Sequence, residues 1–252
     1  MIGAEEQDQK GEGRTKRETC LVTGASGVIG GAIARELLLR GERVALGCFK
    51  NEKRAKELAA GFPGQALVLP FDAREEESCL AAVRRAEKEL GQITALIHAA
   101  GQAELSLIQE TSAARWRELF ALHVDAAFYL VRAVLPPMLS EKRGSLLLIS
   151  SIWGQAGASM EAAYSAAKAA QIGLMRALAK ELGPSNIRVN ALSPGLIESP
   201  MNDGLDLSAF IDDIPLSRPG LPSEVAKAAA FLCSEEASYI SGQVLGVNGG
   251  LL

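Results

Sequence analysis

The sequence predicts a single α/β domain in which a doubly wound parallel sheet of about seven strands is covered by helices on both faces. Short apolar runs of strand-like composition alternate with helical segments over nearly the whole chain. These runs are continuously apolar, as expected of strands that are buried on both faces. A glycine-rich turn joins the first strand to the first helix. We therefore expect ligands to bind at the carboxyl ends of the strands, as in other open α/β sheets.

The strand predictions depend on runs rich in Val, Ile and Leu, each bounded by turn-forming or charged residues. In chain order they are CLVTG, RVALGCF, QALVLPFD, TALIHAAG, GSLLLISS, IRVNALSPG and QVLGVNGG. The strand-to-helix alternation shows no internal repeat and no second domain boundary. Residues 19–252 are predicted to form one catalytic domain, and residues 1–18, which lack any hydrophobic period, a disordered tail.

The helix predictions depend on runs of helix formers with apolar residues at helical spacing. They are VIGGAIARELLLRG, NEKRAKELAAG, REEESCLAAVRRAEKELG, a long stretch from about Ser112 to Leu139, AAYSAAKAAQIGLMRALAKELG and SEVAKAAAFLCS. Gly41 ends the first of them. The long stretch is expected to break near Pro136 and Pro137, because proline cannot donate the amide hydrogen bond of a helix.

Composition and charge exclude several classes of protein. The chain has 252 residues, 48% of them hydrophobic, which is ample for a large core. A net charge of −4 argues against general binding to nucleic acids or anionic membranes. We find no apolar run of membrane-spanning length and no signal peptide, and expect a cytoplasmic protein. The four cysteines, which form no CxxC pair, are predicted to be buried thiols rather than disulfides or metal ligands: Cys20, Cys48, Cys79 and Cys233.

The glycine-rich turn TGASGVIG has the context of a phosphate-binding loop, because it follows a strand and opens a helix. Glycine permits close approach of the backbone to a pyrophosphate, and the helix N-terminus offers free amides and a positive dipole. A merely structural turn is the alternative. The residues predicted to contact the dinucleotide here are Gly24, Ser26, Gly27, Val28, Ile29 and Gly30.

The end of the second strand indicates which dinucleotide binds. An acidic residue there would bind the ribose hydroxyls of NAD, but this chain has Cys48, Phe49 and Lys50, with further basic residues close behind. NADP(H) is therefore favoured over NAD(H), although Lys50 could be only a solvated charge. Asp72, after the third strand, either accepts a hydrogen bond from the adenine or caps the following helix.

Tyr164 and Lys168 are candidates for proton transfer. Their spacing places both side chains on one helical face, and an ammonium beside a phenol lowers the pKa of the phenol. A phenol so tuned can protonate a carbonyl oxygen or deprotonate an alcohol. Ser151, thirteen residues earlier, could donate a second hydrogen bond to the same oxygen. Taken alone, this spacing favours an ordinary surface tyrosine and lysine, and the glycine-rich turn is what changes that interpretation.

Together these residues resemble the short-chain dehydrogenase/reductase family over residues 19–250, which implies a Rossmann fold. TGASGVIG resembles its cofactor loop, AAYSAAKAA its YxxxK motif, ISS its catalytic serine and YISGQVLGVNGG its last strand. The segment SPGLIESPM resembles the motif that closes over nicotinamide. By this resemblance Tyr164 donates the proton, Lys168 lowers its pKa and binds the nicotinamide ribose, and Ser151 polarises the carbonyl. The further cofactor contacts it implies are Ala99, Ala100, Gly101, Pro194, Gly195, Ile197 and Ser199.

The chain departs from the family pattern at three places. Val28 stands where the short-subunit branch usually has glycine. His98 and Ala99 replace two asparagines of the usual NNAG sequence. His123 stands where the family has the asparagine of its proton relay, which acts largely through its backbone carbonyl. His123 either preserves that role, adds a titrating group, or is simply a packed histidine.

Within the family, the chain resembles bacterial 3-oxoacyl-carrier-protein reductases in length, and elongation factor P 5-aminopentanone reductases in SSIWGQAGAS and DIPLSR. The first implies a ketone on a carrier thioester, and the second a ketone on a modified lysine of that translation factor.

The substrate side of the site would be lined by Trp153, Met160 and Glu161. Glu161 could pair with a substrate amine or be an ordinary helix charge. Lys142 and Arg143 could dock an acidic carrier or be solvated. The resemblance implies an NADPH-dependent carbonyl reductase and a homotetramer; a catalytically silent dinucleotide sensor and an NAD-dependent alcohol dehydrogenase are the alternatives.

Overall fold

The computed structural model describes residues 17–103, 105–199 and 207–252 of the chain. Seven strands form one parallel sheet in the order β3-β2-β1-β4-β5-β6-β7. This confirms the predicted doubly wound sheet and its number of strands. The strands are β1 (Thr19–Thr23), β2 (Arg43–Cys48), β3 (Ala66–Pro70), β4 (Ala95–His98), β5 (Gly144–Ile149), β6 (Ile187–Pro194) and β7 (Val244–Val247).

Helices cover both faces of the sheet, because the strands present apolar side chains to each side. The helices are α1 (Val28–Leu39), α2 (Glu52–Ala60), α3 (Glu76–Leu90), α4 (Ala113–Phe120), α5 (Ala126–Glu141), α6 (Trp153–Ala156), α7 (Ala162–Leu182), α8 (Ser208–Asp212) and α9 (Pro222–Cys233). Helices α1, α2 and α9 contribute to the core on one face, and α3, α5 and α7 to the core on the other.

Strand β1 lies where the strand order reverses. Leu21 pairs with Ala45 of β2 on one side and with Leu96 of β4 on the other. The chain proceeds outward to β3 in one direction and to β7 in the other. The carboxyl ends of β1 and β4 therefore diverge at the switch point, where the loops leave a crevice for a ligand.

The predicted break at Pro136 and Pro137 is wrong, since both prolines lie inside α5. They occur in its last two turns, where the buried Val134 and Met138 hold the helix on the sheet. We infer that this packing outweighs the two amide hydrogen bonds that the prolines cannot donate.

Helix α4 leads directly into a π-helical segment, Ala121–Asp125, and then into α5, so residues 113–141 form one helical run. This run is long and apolar enough to span a bilayer by length and composition, contrary to the sequence-based expectation that no segment is. In this fold its apolar residues Leu130, Val134 and Met138 are buried in the core, which is typical of a core helix.

Most of the predicted tail, residues 1–16, lies outside the described residues. Glu18, its last residue, is ordered and forms an ion pair with Arg143. All four cysteines are free thiols, as expected, and three of them are buried.

Candidate active site

The glycine-rich turn lies at the carboxyl end of β1, at the switch point. Gly24 has a φ of +66°, and a Cβ there would lie 2.8 Å from the backbone of Ala99 and Ala100. Only glycine fits this close crossing of the loops that follow β1 and β4. Gly30 is buried in the first turn of α1. The sequence prediction of a tight strand-to-helix turn is therefore matched by the geometry.

The N-terminus of α1 is open to an anion. Gly27 is its N-cap and provides no side-chain hydrogen bond, and the first turn carries no acidic residue. Val28 and Ile29 begin the helix, and both are half-buried. The free amides and the positive end of the helix dipole favour a phosphate at this position.

Thr23 is a site residue that the sequence prediction missed. Its hydroxyl accepts hydrogen bonds from the amides of Ala99 and Ala100, at 3.1 and 3.0 Å, and lies 3.0 Å from Nδ1 of His98. Thr23 thereby fixes the loop after β4 against the glycine turn. The only sequence signal is its place as the last residue of the first strand.

The end of β2 brings an aromatic ring and two cations together. Phe49 is half exposed, with Lys50 Nζ 5.8 Å and the Arg74 guanidinium carbon 5.3 Å from its ring centroid. Cys48 is buried beneath, its thiol directed toward the Leu69 carbonyl. Arg74 was not predicted, although its place after Asp72 was a possible signal.

Asp72 does not cap the following helix, because Glu75 is the N-cap of α3. The Asp72 carboxylate instead accepts hydrogen bonds from the backbone amide and the guanidinium of Arg74. These bonds hold the pKa of Asp72 below its usual value. The helix-cap interpretation is therefore wrong, and the proposed adenine contact stays a prediction.

Ser151, Tyr164 and Lys168 meet at the carboxyl end of β5. Tyr164 lies in the first turn of α7 with the Ser151 hydroxyl beside its phenol, and Lys168 Nζ is 5.6 Å from the centre of the tyrosine ring. Ser151 also accepts a hydrogen bond from the amide of Trp153, at 3.2 Å. Lys168 is only 4% exposed and donates to the Ile149 carbonyl at 2.7 Å. The predicted trio is thus brought together at one point.

The electrostatics of this trio differ from the sequence expectation. Burial raises the pKa of Tyr164 to about 12, while the hydrogen bond from Ser151 acts in the opposite direction. Burial also lowers the pKa of Lys168 to about 7. Burial therefore disfavours the charged form of each group, and the lowering of the tyrosine pKa that the sequence predicts is not found.

His123 is fully buried in the π-helical segment, with its ring edge-on to Tyr164 at 5.5 Å between centroids. Its Nε2 lies 2.9 Å from the carbonyl of Gln102, and its Nδ1 has no hydrogen-bond partner in the described part of the chain. Burial holds the pKa of His123 well below its usual value. A Cβ on Gly101 would lie 2.6 Å from the imidazole, so glycine is required there.

The loop after β6 approaches the same edge. The Pro194 carbonyl accepts from the amide of Ile152, and Gly195 donates to Val247. Ile197 forms a bridge with Gly220. Ser199 ends this described segment; Pro200 and Met201 of the matching motif lie outside the described residues.

The substrate side is formed by two segments. Met160 and Glu161 line a small pocket with Tyr164. Trp153 does not line that pocket and instead packs edge-on against Phe210, with ring centroids 5.7 Å apart. Met160 is 45% exposed, so the pocket opens toward solvent.

Arg143 lies away from this edge. Arg143 directly precedes the first residue of β5 and forms ion pairs with Glu18 and Glu235. These pairs give it a structural role at the opposite edge of the sheet, which argues against the proposed contact with a carrier protein.

The residues present fit a nicotinamide dinucleotide. The glycine turn and the uncapped α1 terminus suit its pyrophosphate, and Lys168 and Tyr164 lie at the other end of the crevice. Such a cofactor supplies a hydride when bound. The chain itself would supply a protonated phenol at Tyr164 Oη and a serine hydroxyl to orient a carbonyl oxygen.

Comparisons with known proteins agree with this architecture. The sequence model of the family described as enoyl-(acyl carrier protein) reductase matches residues 24–252. An uncharacterized oxidoreductase, YmfI, of Bacillus subtilis is 40% identical over 240 residues, covering 92% of this chain and 98% of that protein. The 3-oxoacyl-[acyl-carrier-protein] reductases of Salmonella typhimurium and Thermotoga maritima are 36% and 34% identical, covering 92% and 95% of this chain and 96% and 99% of their own lengths. With the dinucleotide crevice and the Ser151, Tyr164 and Lys168 arrangement, these matches show that the chain is an NAD(P)-dependent oxidoreductase of the short-chain dehydrogenase/reductase family.

Proposed function

We propose that this protein is an NADPH-dependent carbonyl reductase of the 3-oxoacyl-carrier-protein reductase type. The observation that carries the proposal is the meeting of Ser151, Tyr164 and Lys168 at the carboxyl edge of the sheet, beside the dinucleotide crevice. The phenol of Tyr164 is protonated at neutral pH, as an ordinary phenol is, and burial raises its pKa further. It is therefore in the state required to protonate the oxygen of a ketone as the carbonyl carbon accepts a hydride.

Ser151 and Lys168 support the same step. The Ser151 hydroxyl stabilises the developing charge on the carbonyl oxygen by a second hydrogen bond. Lys168 donates a hydrogen bond to the Ile149 carbonyl at the base of the site, and by the family resemblance it would bind the nicotinamide ribose. These roles are carried over from the family and accord with the placement of Ser151 and Lys168 beside Tyr164.

The preference for NADPH is supported by the charges at the end of β2. Residues 48–50 include no carboxylate that would repel a 2′-phosphate. Lys50 and Arg74 flank the Phe49 ring, the position expected for the adenosine ribose. Arg74 also forms ion pairs with Asp72 and Glu118, which hold its guanidinium beside the ring.

Reduction of an aminopentanone on elongation factor P is the second candidate, and Glu161 favours it. The carboxylate lines the pocket beside Tyr164, and its Oε2 is buried without a hydrogen-bond partner among the described residues. Burial raises the pKa of Glu161. A buried, unpaired carboxylate is costly, and a substrate ammonium would relieve that cost by pairing with it.

The decisive experiment measures NADPH oxidation by the pure protein with two substrates in parallel. One is an acetoacetyl thioester, and the other is elongation factor P that carries the aminopentanone on its lysine. Turnover of the thioester supports the first candidate, and turnover of the modified protein alone supports the second. Binding of NADPH without turnover of either ketone would contradict both and favour a dinucleotide sensor.

We also propose that the protein is a cytoplasmic homotetramer, as the family resemblance implies. Phe128 and Leu139, on the outer side of α5, are 46% and 42% exposed. These two exposed apolar side chains are compatible with a subunit contact along this helix, and the tetramer itself is proposed from the family resemblance. Light scattering coupled to gel filtration measures the mass directly, and a mass near that of the 26.6 kDa chain would contradict the tetramer.

A further inference from the structure

We propose that Gln171 is a positioning residue for the reaction, because its side-chain amide connects the catalytic lysine to the backbone carbonyl of His123. The inference rests on the proposed function, in which the positive charge of Lys168 favours proton transfer from Tyr164. Gln171 lies three residues after Lys168 in α7 and is completely buried. The sequence prediction did not include it.

Both ends of the amide are used. Nε2 donates a hydrogen bond of 2.7 Å to the His123 carbonyl, and Oε1 accepts one of 3.3 Å from Lys168 Nζ. Lys168 also donates to the Ile149 carbonyl at 2.7 Å. The amide thus connects α7 to the π-helical segment, and the lysine connects α7 to the end of β5.

The π-helical segment is part of this arrangement. In it the Ala126 amide donates to the Ala121 carbonyl, five residues back, rather than four. Such widened turns are uncommon and frequently occur at functional sites. Here the segment brings the His123 carbonyl within reach of α7, and Gln171 occupies the space between that carbonyl and the lysine.

The charges around Lys168 explain why a neutral amide matters. No ion pair joins Lys168 to a carboxylate within the described residues, and its hydrogen-bond acceptors there are two neutral oxygens, from Ile149 and Gln171. The titratable groups that face it are Tyr164 on its own helix, His123 in the π-helical segment and His98 at the end of β4. Burial and the positive lysine lower the pKa of both histidines, so both are neutral.

Gln171 therefore provides the stabilisation of the ammonium that no carboxylate supplies. Without Oε1, the lysine would lose a hydrogen bond to its charged form, and its pKa would fall further. Without Nε2, the His123 carbonyl would lose its donor and the lysine side chain would be less well oriented. A glutamine with only a packing role would have neither effect.

The test compares Gln171→Met, which keeps the length of the side chain without its polar atoms, with Gln171→Glu. The pKa of Lys168 is measured by NMR of protein labelled at the lysine Cε, and the pH profile of kcat is measured for alcohol oxidation. We expect Gln171→Met to lower the lysine pKa by about one unit and to shift the profile to higher pH, since loss of positive charge disfavours the tyrosinate. Gln171→Glu is expected to raise the lysine pKa.

Met175→Ala is the matched control, because Met175 lies one turn further along the buried side of α7 and its apolar side chain is part of the hydrophobic core. It should lower thermal stability and leave the lysine pKa and the pH profile unchanged. A lysine pKa in Gln171→Met equal to that of the wild type would overturn the proposal. The NMR titration does not depend on turnover, so failure of the proposed function would be seen separately, as a wild type that reduces no ketone.

Discussion

The hydroxyl of Thr23 lies 3.0 Å from Nδ1 of His98, which joins the ends of β1 and β4 at the switch point of the sheet. The same hydroxyl accepts hydrogen bonds from the amides of Ala99 and Ala100. One small side chain therefore holds the loop that must face the cofactor. It does so from the interior, since Thr23 is buried.

Replacing Thr23 with Val should lower the free energy of unfolding by about 2 kcal/mol, because two amides lose their acceptor in a largely buried place. It should also raise the KM for NADPH. Thr19→Val is the matched control, since Thr19 is equally buried at the other end of β1 and its hydroxyl donates to the Leu90 carbonyl, away from the crevice. Urea denaturation and NADPH kinetics measure the two effects; equal KM values for both variants would contradict the role of Thr23.

Tyr164→Phe should reduce kcat for ketone reduction by about 10³-fold, since it removes the proton donor. The dissociation constant for NADPH should stay near that of the wild type, because the phenol is not needed to hold the phosphates. Tyr129→Phe, on α5 and away from the site, is the control and should retain full activity. Residual activity of Tyr164→Phe near the wild-type level would exclude the phenol as the donor.

Glu161→Gln should separate cationic from neutral substrates. We expect kcat/KM for a ketone that carries a primary amine to fall by about tenfold, because the charge-assisted hydrogen bond is lost. The neutral acetoacetyl thioester should be reduced as well as before. Glu110→Gln, an exposed position nearby, serves as control. An equal loss for both ketones would show that Glu161 does not select charge.

Arg74→Ala should raise the KM for NADPH by about tenfold, because a guanidinium near the 2′-phosphate contributes a charge-assisted hydrogen bond. The KM for NADH should change little. Lys53→Ala is the control, because it removes a highly exposed cation of the same region that pairs with Glu57. It should leave the KM for NADPH unchanged. If both cofactors were affected equally by Arg74→Ala, its role would be to hold Asp72 rather than to recognise the phosphate.

The stability of the chain should rise between pH 7 and pH 8.5. Burial lowers the pKa of Lys168 to about 7 in the folded chain, so above that pH the unfolded chain binds more protons at this lysine. Lys168→Met should remove about 1–2 kcal/mol of the increase. Urea denaturation at both pH values measures this change in the free energy of unfolding. If the wild type and Lys168→Met showed the same pH dependence, the lysine would be charged in the folded state.

Much of the fold followed from pattern. The seven strands and the helices between them were predictable, because buried parallel strands are continuously apolar and the intervening segments have helical spacing. The break expected at Pro136 and Pro137 is absent from α5. The low helix propensity of proline is a local property, and it does not include the packing of Val134 and Met138 against the sheet. The π-helical segment carries no local signal at all.

Residues of the candidate site were predictable where a sequence motif reflects the backbone conformation of one turn or the spacing within one helix. Gly24 is needed for a positive φ and a close approach, and Tyr164 and Lys168 share a helix face by spacing alone. The contacts of Thr23, Arg74 and Gln171 were missed. Each depends on a partner from another element, such as the His123 carbonyl, which is 48 residues from Gln171 in the chain.

The sequence by itself determined the class of fold and the glycine-rich turn, because periodicity and local spacing follow from backbone geometry, and its motifs identified Ser151, Tyr164 and Lys168 as the candidate catalytic trio. Only the tertiary structure decided the protonation of that trio. Whether Tyr164 and Lys168 are charged depends on how far they are removed from water and on which oxygens reach them. Burial and long-range hydrogen bonds of this kind exist only once the strands and helices have assembled.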